Sequence, residues 1–192
     1  MVAYSIVISI FGESTLFSHA ARFPFVASHL PLYALLAILL SACAIGFLRL
    51  FRAVQRAAAA LPGPAWLRPA VGGLALGLLA TPIVMLVGDR LGAEGQGLGI
   101  FGGGYGAAQT AITGAPWLPG GWSSVGLLCL LAIAKVAAAS LTIGSGGSAG
   151  DFAPSLAIGA LLGGAFGRAA QLVLGDPAID AGAFALVGMG VF

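Results

Sequence analysis

Between Glu94 and Lys135 forty consecutive residues carry no charge. That run constrains the fold most, because a stretch so long and so uncharged has little with which to hold water. Shorter uncharged runs occupy residues 30–48 and 69–88, each close to the roughly 20 apolar residues that a helix needs to cross hydrocarbon. Only 7% of the chain is charged and its mean hydropathy is +1.06, whereas a soluble domain is about a quarter charged. The class is therefore a polytopic, all-α membrane protein in contact with lipid. A net charge of +2, with no basic patch interleaved with aromatics, offers no footprint for nucleic acid.

The runs are punctuated. Residues 30–48 read as a spanning helix that continues through "RLFRAVQRAAAA", with Arg49, Arg52 and Arg56 on one face. Pro62, Gly63 and Pro64 then break the chain, and residues 69–88 read as a second span, kinked at Pro82. Arg49, Arg52, Arg56 and Arg68 lie in or beside the intervening loop, which the positive-inside rule puts in the cytoplasm, with Asp89, Arg90 and Glu94 on the opposite side. The forty-residue run is not one helix, because "GGGYGAAQTAITGAPWLPGGW" interrupts it. Its pattern predicts a loop, a short helix near 105–113, a turn at 115–121 and a span over 122–143. Trp117 and Trp122 fit an interfacial aromatic belt. A helix from Phe152 to about Leu174 follows, then the loop "GDPAID" and a last apolar run from about Asp180. The architecture expected is one of tilted, discontinuous helices.

Other residues point to structure rather than chemistry. Cys43 and Cys129, without a CxxC or histidine partner, read as small core hydrophobes; His19 and His29 read as structural or surface residues, and no metal or cofactor site emerges. "VAYSIVISIF" after Met1 lacks a basic n-region and makes a poor signal peptide. Both ends fall inside apolar runs, so residues 1–192 are expected to be one partial domain of a larger membrane protein.

The stretch "GSGGSAGDFAPSLAIGALLGGAFG", residues 144–167, carries the chemistry. Irregular backbone at membrane depth survives only inside protein or along a cavity, and broken helices present their ends to ions. A helix N-terminus leaves N–H groups unpaired and carries about half a positive charge, which makes it an anion site. In "GDFAP", Gly150 lets backbone approach closely, Asp151 reads either as an N-cap whose side chain bends back or as a gate or proton carrier, and Pro154 suits the first turn. The amides of Asp151, Phe152 and Ala153 would face the break, with Phe152 as an apolar wall. Lys135, inside the preceding span, has three readings: it raises the local positive potential, it pairs with a buried acid or carbonyl, or it snorkels to an interface. Gly159, Gly163 and Gly167, spaced by four, read as a helix-packing stripe. "GSGGSA" formally matches a dinucleotide fingerprint, but a long apolar run precedes it and no acid lies about 20 residues on.

At these residues the sequence resembles the CLC family of chloride channels and proton–chloride antiporters. "GSAGDFAPSLAIGALLGGAFG" is similar to that family's G-x-F-x-P segment, here Gly150, Asp151, Phe152, Ala153 and Pro154. "GIFGGGYGAAQTAITG" resembles the segment before it and "AGAFALVGMG" the segment after it. The resemblance implies a homodimer with one ion pathway per subunit, built from two inverted repeats. It implies main-chain amides at Asp151 and Phe152 facing a central chloride, with Phe152 and Ala153 bordering an outer site. Residue 151 is commonly apolar in the family and residue 149 commonly glycine, so Asp151 and Ala149 depart from the pattern. The family's G-S-G-x-P and G-[KR]-E-G-P loops do not occur in this chain. The proton-transfer glutamate and a late pathway tyrosine are expected outside it, so the chain is expected to supply half of an anion site and not to transport alone.

The expected function is chloride transport across a cell (inner) membrane, with protons as a second partner if the protein is an antiporter. A fluoride-selective relative and a non-transporting assembly subunit are the alternatives. A membrane-embedded enzyme would need a nucleophile–base set or paired acids within the spans, and Glu13, Asp89, Glu94, Asp151, Asp176 and Asp180 lie mostly at loops.

Overall fold

The computed structural model describes residues 26–91 and 98–192. The opening apolar stretch, Glu13, His19 and Glu94 lie outside the described residues. A 3-10 turn at Ala27–His29 leads into α1 (Leu30–Ala59), followed by α2 (Leu67–Leu91), α3 (Tyr105–Thr113), α4 (Trp122–Gly144), α5 (Phe152–Leu174) and α6 (Ala181–Val191). Every regular element among the described residues is helical. Four of them, α1, α2, α4 and α5, are long and apolar enough to cross a membrane. The other two, of 9 and 11 residues, are too short to cross by themselves. The chain is a multi-pass membrane protein.

Helix α2 runs on through Pro82 to Leu91, so the proline that marks a kink in the sequence lies inside one continuous helix, and Asp89 and Arg90 fall in its last turn.

The four long helices divide into two pairs. In the spanning stretches of α1 and α2 only 17% and 11% of residues are buried, against 44% and 50% in α4 and α5. Ile38 and Leu39 on α1, and Leu74, Leu78 and Met85 on α2, are exposed. An apolar exterior of this kind is matched to hydrocarbon, not to water. Cys43 belongs to that exterior: it is exposed, contrary to its reading as a core residue, while Cys129 is half-buried. The outer position of α1 explains the difference, since among the described residues most of its faces have no neighbour.

Helix α5 is the hub, packing against α6, α4, α3 and α1. Glycine makes this possible. A Cβ on Gly159 would collide with the Gly188 carbonyl, one on Gly163 with the Phe184 carbonyl, and one on Gly167 would come within 2.8 Å of the Ala181 Cα. The stripe therefore brings the backbone of α5 against that of α6, and Gly188 answers it from the α6 side. On another face of α5, Gly164 lies over Ala111 of α3. Without a hydrophobic drive between helices in lipid, such close backbone contact supplies the dispersion energy that holds them together. The core is correspondingly built from small residues, Ala108, Ala111, Ala132, Ala160 and Ala185, around Leu128, Leu131 and Leu161. A second cluster seats Phe184 between Tyr33 of α1, stacked at 4.5 Å, and Phe166 of α5. At this end His29 is buried, and its Nε2 lies 3.6 Å from Asp176 Oδ2.

Gly163→Val is expected to lower the melting temperature sharply, since overpacking costs about 1–3 kcal/mol. Gly126→Ala, where an added Cβ meets nothing within 4 Å, is expected to stay within about 0.5 kcal/mol of the parent. Thermal unfolding in detergent separates the two.

Candidate functional site

The sequence between α4 and α5 folds as a tight reversal. The N–H of Gly146 donates to Ile143 O at 3.0 Å and that of Gly147 to Thr142 O at 2.9 Å, which closes the end of α4. A Cβ on Gly147 would stand 2.6 Å from the Thr142 oxygen, so the closure requires glycine. The chain then turns back, and α5 starts at Phe152.

The start of α5 differs from the sequence expectation in one respect. Asp151 occupies the N-cap position, but its carboxylate accepts no capping hydrogen bond. Its backbone oxygen instead accepts from Ser155 N at 3.0 Å and from Ser155 Oγ at 2.7 Å. Two features explain this. The backbone of Asp151 is already helical, at φ −88° and ψ −19°, whereas a capping residue is usually extended. Of the two donors a cap can use, the N2 and N3 amides, only that of Ala153 is present, because Pro154 at N3 has no N–H. Asp180 provides the contrast: it is extended, and its Oδ1 accepts from Gly182 N at 2.8 Å at the head of α6.

The first helical donor of α5 is therefore Ser155, and the N–H groups of Phe152 and Ala153 have no helical acceptor. They lie at the edge of a cavity of about 540 Å³ whose wall includes Ala149, Gly150, Phe152, Ala153 and Pro154. Asp151 is exposed and is not part of that wall. Phe152 is 72% exposed although strongly apolar. Four of the five residues of "GDFAP" thus border one cavity, and the one carboxylate among them does not.

Lys135 of α4 lines the same cavity. It is 2% exposed, and its Nζ donates to the backbone oxygens of Ile100 at 3.0 Å and Gly102 at 2.5 Å. Of its three sequence readings the structure displays the contact with carbonyls, and burial this deep excludes snorkelling. Among the described residues it has no carboxylate partner, so the wall carries a positive charge balanced only by main-chain dipoles. The head of α5 adds the positive end of its own dipole.

The carbonyls that hold Lys135 belong to the glycine-rich loop before α3, which sequence reasoning did not place in the site. Ile100, Phe101, Gly102 and Gly103 all face the cavity. Leu98, Gly99, Gly102 and Gly104 take positive φ in this loop, Leu98 at 47°, an uncommon conformation outside glycine. Gly104 is where the loop meets both long helices: φ is 84°, and an added Cβ would come within 2.7 Å of Ala157 on α5 and 3.0 Å of Lys135 Cε. The signal that would have found the loop is a lone lysine within a span, with no acid in the same span and a glycine-rich loop upstream to supply carbonyls. On the far side of the loop is a second cavity of about 470 Å³, whose lining contains no charged residue.

The fold and the cavity together define a polytopic helical membrane protein in which a broken-helix junction borders a half-open cavity that a buried lysine also lines. The family model described as voltage gated chloride channel matches residues 1–192, and the chain belongs to that family, the CLC family. It is similar to the H(+)/Cl(-) exchange transporter ClcA of Yersinia pestis bv. Antiqua (strain Angola), at 32% identity over 159 residues, which is 83% of this chain and 30% of the relative. Similarity to ClcA of Salmonella agona (strain SL483) reaches 49% over 67 residues, 35% of this chain and 14% of the relative. For ClcA of Vibrio vulnificus (strain YJ016) it is 44% over 75 residues, 39% and 16% respectively. The chain therefore spans less than a third of the length of these relatives. Membership of this family sets aside the reading as a membrane enzyme.

Lys135→Met is expected to leave the buried Ile100 oxygen without its donor, at about 1–3 kcal/mol, and less at the exposed Gly102. A lower melting temperature for Lys135→Met, with most of the loss recovered in Lys135→Arg, is the expected outcome of thermal unfolding.

Proposed function

We propose that this chain forms one side of an anion pathway in a chloride-transporting protein of a cell (inner) membrane. The observation that carries the reading is the meeting, on one cavity, of unpaired amides at the head of α5 with a buried lysine that has no acid partner among the described residues. Chloride would be held by main-chain N–H groups at Asp151, Phe152 and Ala153, with Phe152 as an apolar wall and Gly150 leaving room for the ion. Such a site replaces part of the hydration shell by fixed dipoles and needs no anionic or metal ligand. Asp151 is compatible with this role because its backbone can serve while its carboxylate stays off the wall.

We also propose that residues 1–192 correspond to the middle-to-late part of a transport domain, with the rest of the pathway contributed from outside this chain. The short share of the relatives' length that is matched supports this. Protons are the second transported ion in the exchange reading, which rests on the names of the ClcA relatives, and a homodimer is the assembly that the family resemblance implies.

Gly150 offers a clean test, because an added Cβ there meets nothing within 4 Å. Gly150→Leu is expected to fill the cavity without disturbing the fold. Chloride binding by calorimetry on the intact protein should weaken by about tenfold or more, roughly 1.4 kcal/mol, with the melting temperature unchanged. Unaltered chloride affinity in that variant would refute the placement of the ion at the head of α5.

A further inference from the structure

Helix α1 is longer than a membrane requires. Its 30 residues make a rod of about 45 Å, whereas the hydrocarbon layer is about 30 Å thick and an average tilt lengthens the path only slightly. Roughly eight residues must therefore lie beyond the hydrocarbon at one end. The uncharged stretch comes first, so the excess is the C-terminal part that carries Arg49, Arg52 and Arg56.

These arginines continue a stripe that begins within the span. Ile38, Ile45, Arg49, Arg52 and Arg56 follow one another at intervals of three, four and seven, which keeps them on one helix face. Ile38 and Ile45 are 67% and 51% exposed, and all three arginines are exposed. Arg56 Nε donates to Arg52 O at 3.3 Å, so its side chain lies back along the helix. Arg52, Gln55, Arg56 and Ala59 border a shallow groove. Beyond the turn at Pro62–Pro64, Trp66 is 69% exposed. No acid occurs between residues 14 and 88, and among the described residues no carboxylate pairs with Arg49, Arg52 or Arg56.

We propose that this face of α1 is a docking surface for an anionic phospholipid in the leaflet where the helix emerges. Its acyl chains lie along Ile38 and Ile45, and its phosphate is held by Arg49, Arg52 and Arg56. The amphiphilic order of the stripe, apolar first and cationic next, matches a lipid and not a soluble phosphate. Guanidinium groups bind phosphate oxygens through paired N–H donors, and Trp66 is of the residue type that settles at headgroup level. This surface is separate from the cavity at the head of α5 and does not depend on what that cavity binds.

The test uses the intact protein reconstituted in bilayers of equal parts phosphatidylcholine and phosphatidylglycerol, re-extracted in mild neutral detergent. Native mass spectrometry then counts the lipids retained. Each cation near an anionic surface contributes about fivefold, so the wild type is expected to retain phosphatidylglycerol over phosphatidylcholine by about tenfold or more. The triple variant Arg49→Gln, Arg52→Gln, Arg56→Gln should lose that preference, and the triple lysine variant should keep most of it. Added salt should erode it in the wild type, a result that needs no variant, and glycerol phosphate without acyl chains should not displace the lipid. Equal retention of the two lipids by the wild type, or an undiminished preference in the triple glutamine variant, overturns the proposal. Displacement by glycerol phosphate would also overturn it, showing a soluble-phosphate site in its place.

Discussion

The grip of Lys135 on the oxygens of Ile100 and Gly102 is the interaction on which the site depends. The loop before α3 is irregular, and irregular backbone has carbonyls that a bilayer cannot satisfy. A buried ammonium supplies donors to two of them at once. The exchange is reciprocal: the loop gives the lysine the polar partners without which its charge would not be tolerated at 2% exposure. One side chain thereby fixes the loop against α4 and keeps a positive charge on the cavity wall.

That arrangement works only if α5 is held at the right distance, and this is the task of the small residues. Gly159, Gly163 and Gly167 let α6 approach backbone to backbone, while Gly164 admits α3 and Ala157 meets Gly104. The head of α5 is thus positioned by contacts along most of its length. The result is an inner layer of α3 to α6 with α1 and α2 outside it, their apolar faces largely exposed among the described residues.

Much of the fold was legible in the sequence. In lipid the helix is the default solution for backbone hydrogen bonding, so uncharged length and glycine–proline breaks locate the helices almost unaided. The short helix at Tyr105–Thr113 and the start of α5 at Phe152 agree with the pattern to the residue. Cys43 misled because apolar character identifies the lipid-facing exterior as readily as the core.

The local chemistry of the candidate site was legible in part. Glycines, an apolar flank and a proline in the first turn announce a helix head with free amides, a consequence of backbone covalent structure that needs no tertiary information. Three things were decided only by the tertiary structure. Asp151 stays off the cavity wall and makes no capping bond, its backbone being already helical. Lys135 finds carbonyls 33 and 35 residues away, a pairing that no spacing rule encodes. The loop at Ile100–Gly103 joins the cavity because α5 and α4 converge on Gly104. Sequence alone determined that this chain lives in a membrane and breaks a helix there, since both follow from local solvation. What the break faces depended on long-range packing, where small residues far apart in the chain set which backbones can meet.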